Sequence, residues 1–215
     1  MNWLLKLDNR NCYFALCLVS VLFAFLIKRF LYTDQLYYST LAEQYTSEQI
    51  QIILGNLNAG WRQAIGYVFI PVIIIIRIFY TSFCLYIGNL VEEYHWKFKS
   101  LFNISLKADI VFCLSSACNF YYYALLENYK TIDDLGENCT SLLKIVGRES
   151  IPSWLILAFN SINVFELLYV ALLVVMLKMS FHITYFKSII FVLLTYCIGN
   201  YLYLVAMTFL YLNLS

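Results

Sequence analysis

Five long apolar runs organise the chain, at residues 11–27, 64–91, 110–126, 154–177 and 188–212. A helix that crosses a bilayer needs about 20 apolar residues, so each run predicts one membrane-spanning helix. The first and third runs are short, but polar residues bracket them: Lys28-Arg29 closes the first, Lys107 and Asp109 precede the third, and Glu127 follows it. The second is long, and it either tilts strongly or is broken near its start by Gly66 and Pro71. Lys6 and Arg10 ahead of the first run imitate a signal peptide, yet no small-x-small cleavage site follows, and the run is expected to be retained.

Two larger polar stretches, 34–61 and 127–151, fall on one face of such a five-span protein. In the first, Ser47 is a plausible N-cap for a helix carrying Ile50, Ile53, Leu54 and Leu57 on one stripe, ended by Gly60. A short amphipathic helix of this kind belongs at the membrane interface. In the second, Thr131 can cap a turn bearing Asp133 and Asp134, and an apolar segment at 142–146 runs into Gly147. Pro152 suits the first turn of the fourth span, where its missing N–H is not needed. The expected fold is therefore all-α: a single polytopic membrane helical bundle with five transmembrane helices and short interfacial helices in the two large loops.

Composition agrees with this pattern. The chain is 62% hydrophobic and 13% charged, against about a quarter charged in soluble domains. A net charge of +1 offers nucleic acid no electrostatic footprint. Of the seven cysteines only Cys139 lies in a polar loop, and there is no C-x-x-C, so the others read as small buried hydrophobes. Asn138-Cys139-Thr140 fits a glycosylation sequon, a triplet common by chance. The side holding the N-terminus collects seven Lys/Arg, Lys107 among them, against six on the other, which slightly favours a cytoplasmic N-terminus.

Candidate chemistry is confined to a few polar residues within the runs. Arg77 and Glu166 are each the only ionised side chain in their run, and each lies near its centre. A lone charge at that depth costs roughly 2.5–3.5 kcal/mol on insertion scales, so it needs a partner, a hydrated cavity or a role. Their two spans run in the same direction, which puts both at similar depth and makes a direct pair feasible. Asn160, Asn163 and Glu166 are spaced by three on one expected helix face, Asn119 is central in the third span, and Asn200 in the fifth. Together they predict an intramembrane polar layer, either interhelical glue or a midplane site for a substrate, proton or lipid headgroup.

The stretch 92–109 carries Lys97, Lys99 and Lys107 amid aromatic residues, which suits contact with anionic lipid headgroups or an ordinary positive flank. Glu92, Glu93 and His95 cluster at a span end, but zinc needs three or four placed ligands, so no metal or other cofactor is expected. No nucleophile–base set or phosphate-binding loop appears, and no catalytic residue is assigned.

The run Ile151-Pro152-Ser153-Trp154-Leu155, followed by Ile162-Asn163-Val164-Phe165-Glu166-Leu167-Leu168-Tyr169, resembles the C-terminal part of Yip1-like membrane proteins, in particular a small bacterial group of the Bacteroidetes type. Trp61, Gly66-Tyr67, Pro71 and Arg77 in the second span fit more loosely, as does Trp96-Lys97-Phe98-Lys99-Ser100-Leu101-Phe102, so that the likeness covers about 49–212. It implies a five-span helical protein without known enzymatic chemistry, and it assigns Glu166 no role. Eukaryotic members bind small GTPases through a soluble N-terminal region; about ten residues precede the first span here, so that role does not transfer. The expected function is a non-enzymatic accessory or assembly subunit of a complex in the bacterial cytoplasmic membrane, contacting lipids and other membrane subunits. The alternative is a small transporter or permease component that uses the polar layer.

Overall fold

A computed structural model describes residues 8–42, 44–57, 60–125 and 129–214. Lys6 and Glu127 lie outside the described residues. Among the described residues the chain is predominantly helical, without named strands, and five helical segments are long and apolar enough to cross a membrane. The first span is α1 (Asn9–Phe30), and α2 (Asp34–Leu41) and α3 (Ser47–Leu57) occupy the first large loop. The second span is α4 (Gly60–Val91), and the third is built from α5 (Phe98–Ala108) and α6 (Ile110–Leu125). The second large loop carries α7 (Ile132–Leu135), α8 (Leu142–Val146) and α9 (Ile156–Ser161), and α10 (Val164–Phe181) is the fourth span. The fifth joins α11 (Tyr185–Val192), a π-helical turn Leu193–Cys197 and α12 (Ile198–Leu214).

The third span departs most from the expectation. Residues 98–109, read above as a basic loop, form its first half, so that Phe98–Leu125 crosses as one 28-residue unit. It is also the most buried of the five, with 56% of its apolar stretch inside the protein. Leu101, Ile104 and Ala108 pack with Leu173, Leu177 and Val192 of the last two spans, while Leu106 and Cys113 pack with Leu16, Ile74 and Ile78 of the first two. A helix surrounded by other helices tolerates polar residues that a lipid-facing helix would not. Its weaker apolar signal follows from that central place.

Lys107 is only 5% exposed within this helix, so it does not reach a headgroup, whereas Lys97 and Lys99 at the span end are exposed. Removing Lys107 from the loop leaves six Lys/Arg on each side, and the positive-inside margin disappears.

The second span is one unbroken 32-residue helix despite Pro71. The Tyr13 hydroxyl of α1 donates to the Pro71 carbonyl at 3.1 Å, so a neighbouring span ties down the backbone at the proline. Gly60 opens this helix and does not end α3, whose N-terminus is held by reciprocal bonds between Thr46 and Gln49, one residue before the expected cap. Near its other end the second span meets the fifth through small residues. A β-carbon on Gly88 would lie 2.0 Å from Thr195 Cγ2, and one on Gly199 would lie 2.6 Å from Cys84 Sγ. Tyr80 donates to the Gly199 carbonyl at 2.6 Å in the same contact. Such reciprocal small-residue seams let helix backbones approach where no hydrophobic force separates helix from lipid.

The fourth span is shorter than the apolar run predicts. Pro152 precedes a 3-10 turn, and the chain leaves the helix at Ile162, whose backbone is extended, before Asn163 caps α10 by accepting from the Glu166 amide at 2.9 Å. Asn160, Asn163 and Glu166 therefore do not line one continuous helix face.

Candidate functional site: a paired polar core

Arg77 does not pair with Glu166. Its Nε and Nη2 donate to the two carboxylate oxygens of Asp109 at 2.8 and 2.6 Å, a bidentate fork across the second and third spans. The geometry suits guanidinium, whose planar donors match a carboxylate edge to edge. Asp109 is 1% exposed and sits at the junction of α5 and α6. The guanidinium carbon lies 4.0 Å from the centre of the Phe112 ring, one turn further along the third span, so the cation also has a π-face beneath it. Its remaining edge lines a crevice of about 240 Å³ between the first three spans, together with Ser20, Ile74 and Ser116. Arg77 is consequently only half-buried.

Glu166 accepts instead from the Tyr196 hydroxyl of the fifth span at 2.6 Å. Tyr196 is carried by the π-helical turn, which adds a residue to the local repeat and turns this side chain towards the fourth span. Beside it Tyr169, fully buried, donates to Thr81 of the second span at 3.1 Å and packs edge-on against the Tyr196 ring at 5.4 Å. Arg77 interacts with Glu166 through its field alone. With 1.5 Å per helical residue, Arg77, Asp109, Glu166 and Tyr196 lie roughly 16–22 Å from the N-terminal side, in a hydrocarbon core about 30 Å thick. The two charges picked out by sequence do share a depth; a third charge, Asp109, takes the arginine.

The asparagines serve backbone rather than charge. Asn119 accepts from the Cys139 amide at 2.9 Å, and Asn160 accepts from the Asn138 amide at 2.8 Å while donating to the Gly136 carbonyl at 3.1 Å. The Asn119 bond docks the second large loop on the end of the third span, and the Asn160 bonds tie that loop together, where irregular backbone needs polar partners. Asn138 itself donates to Ser115 and accepts from Thr140, so the sequon side chain is engaged within the fold. Asn163 is the helix cap described above. Asn200 is half-buried on α12 and joins none of the charged groups.

At the N-terminal side the turn between the second and third spans is closed by Asn89, whose amide exchanges two hydrogen bonds with the Trp96 backbone at 3.1 and 3.2 Å. Trp96 is stacked between Tyr94 and Phe181, with ring centres 4.4 and 4.1 Å away. No three His, Cys, Asp or Glu side chains converge among the described residues.

Asp109, Tyr196, Tyr169 and Thr81 were not singled out from sequence. For Asp109 the signal was present: Leu101, Ile104, Ser105 and Ala108 form a helical stripe that continues into Val111 and Ser115 through the aspartate, which a search for unbroken apolar stretches discards. Comparison with family models, curated proteins and solved structures finds no match to this chain.

Proposed function

We propose that this protein is a non-enzymatic accessory or assembly subunit of a membrane complex, Yip1-like in character and resident in the bacterial cytoplasmic membrane. The observation that carries the reading is the last half-span. Among its described side chains no residue of α12 is buried; Gly199, held by the second span, and Asn200, Leu204 and Thr208, four residues apart, are half-buried and form a narrow line towards the rest of the chain. Tyr201, Tyr203, Phe209 and Tyr211 are exposed around it. Aromatic side chains of this size are the usual anchors of protein contacts, and a helix that buries so little of its surface within the chain is suited to packing against another subunit. The paired state of Arg77 with Asp109 supports the same reading, because these two charges are already satisfied by one another.

Photo-crosslinking residues placed at Tyr201, Tyr203 and Phe209, with Ile73 and Ile76 as lipid-facing controls, test it in native membranes. A discrete protein adduct from α12 and none from the controls is expected. Equal behaviour at all five positions would remove the support.

A second reading, a transporter or permease component, is favoured by one feature. The third span is interrupted at Asp109 and the fifth by the π-turn at Tyr196, so two helices lose regularity where the polar groups gather. Broken helices at such depth are a transporter trait.

A further inference from the structure

One arginine and two carboxylates lie at similar depth in this bundle, Asp109 buried and Arg77 and Glu166 half-buried, with Lys107 buried on another face of the third span, and the arginine is committed. Both of its donating nitrogens go to Asp109, and that pair closes to neutrality. Glu166 keeps one hydroxyl donor, Tyr196, at Oε1; its Oε2 accepts no hydrogen bond among the described residues. The groups facing Glu166 from the neighbouring elements are Arg77 on the second span and Tyr196 and Cys197 on the fifth, with Tyr169 on its own helix and Asp109 beyond it. Lys107 lies about 200° around its helix from Asp109, and both act on Cys12 of the first span.

We propose that Glu166 is an intramembrane proton-binding site. A proton from water adds to Oε2, forming one O–H bond and taking the site from a net charge of −1 to zero; no other bond changes. Oε1 is then the carbonyl oxygen that accepts the Tyr196 hydroxyl, in the orientation already present. Opposing effects meet at this carboxyl, and the Tyr196 hydroxyl and the field of Arg77 both favour the anion. The N-terminus of α10 lies within one turn and favours an anion, since Glu166 is its third residue. Withdrawing a half-buried carboxylate with a single donor from water opposes them, and the helix-end effect is only a fraction of an ion's hydration. The arginine decides the outcome: while Asp109 holds it, Glu166 is left to the proton. The π-turn contributes by aiming Tyr196 at Oε1, which a regular helix would rotate away by about 100°. The site goes beyond the assembly reading and does not depend on it.

Infrared spectroscopy of the purified full chain in lipid nanodiscs, titrated with pH in H₂O and D₂O, tests the assignment. The expected result is a carboxylic-acid C=O band that shifts in D₂O, disappears as pH rises, and is missing in Glu166→Gln. Tyr196→Phe removes the donor to Oε1 and is expected to move the band to higher frequency. Asp109→Asn releases Arg77 towards Glu166 and is expected to make the band vanish at lower pH. A band that persists in Glu166→Gln, or the lack of any such band across the pH range in which the protein stays folded, overturns the proposal. If Glu166→Gln does not fold, an unshifted band in Tyr196→Phe overturns it. Loss of the band on adding sodium at constant pH would assign a metal cation and also overturn it.

Discussion

Arg77 and Asp109 are joined by two hydrogen bonds, 2.8 and 2.6 Å long, between the second and third spans. Neither group has an equivalent alternative: Asp109 is almost completely buried, and Arg77 has the Phe112 ring on one face. Removing one partner of such a pair leaves an uncompensated charge, whereas removing both leaves a neutral interface.

Arg77→Met and Asp109→Asn are therefore each expected to cost about 3–5 kcal/mol in stability, and the double variant to recover most of that loss. Glu166→Gln is not expected to rescue Arg77→Met. Thermal unfolding and monodispersity in mild detergent, compared across the four variants, check this. Rescue by the glutamate change instead would make Glu166 the arginine's real partner.

The contact between the second and fifth spans predicts a compensation. Gly88→Ala drives a β-carbon into Thr195 Cγ2 and is expected to cost about 1–3 kcal/mol, the usual range for overpacking. Thr195→Ala removes the clashing methyl, leaving the nearest Thr195 atom at 3.2 Å, and should restore stability. Gly199→Ala with Cys84→Ala is the matching cycle, since deleting Sγ leaves 3.5 Å to Cβ. Unfolding temperatures of the single and double variants are the readout.

The turn at Asn89 and Trp96 predicts a local loss. Asn89→Leu strands the N–H and C=O of Trp96, and each unmade bond of this kind costs about 1–3 kcal/mol. Faster amide exchange across 92–97 and a shift of Trp96 emission are expected. Unchanged exchange would mean that the Tyr94–Trp96–Phe181 stack holds the turn alone.

The second large loop carries a pH dependence. Burial tends to raise Asp134, but the Lys130 and Thr131 amides and the Thr131 hydroxyl outweigh it and hold the carboxyl below its ordinary value. A carboxyl lowered by folding stabilises the turn fully above its unfolded value, about 3.9, and that contribution is lost as pH falls through the lower folded value. Protection of the Lys130 and Thr131 amides should fade on acidification, and Asp134→Asn should abolish the pH dependence. Thr131→Ala, which removes the other half of this capping box, should cost about 1 kcal/mol.

Much of the architecture was legible because lipid imposes a crude rule. An exposed span must be apolar along its length, so the first, second and fifth spans stand out as runs, and the Thr131 turn and the 142–146 segment are marked by local cap chemistry. The third span was cut short by the same rule. Its neighbours are helices instead of lipid, and Ser105, Lys107 and Asp109 can be carried there once packing and pairing absorb their cost. The fourth run was overextended for the converse reason: an apolar segment can turn at Ile162 when its neighbour Asn163 supplies a cap.

The amino-acid order alone determined that the chain spans a membrane about five times, that its helices begin and end near their caps, and that Arg77 and Glu166 require compensation. These follow from hydrophobicity and local hydrogen bonding, which act over a few residues. Tertiary structure alone decided which group provides the compensation. Asp109 reads as a flank in the sequence and becomes interior only because α5 continues the third span, and Tyr196 faces Glu166 because of one π-helical turn. Pairing depends on which faces of distant helices meet, and a shift of one residue rotates a side chain by about 100°, so depth was predictable from order and partnership was not.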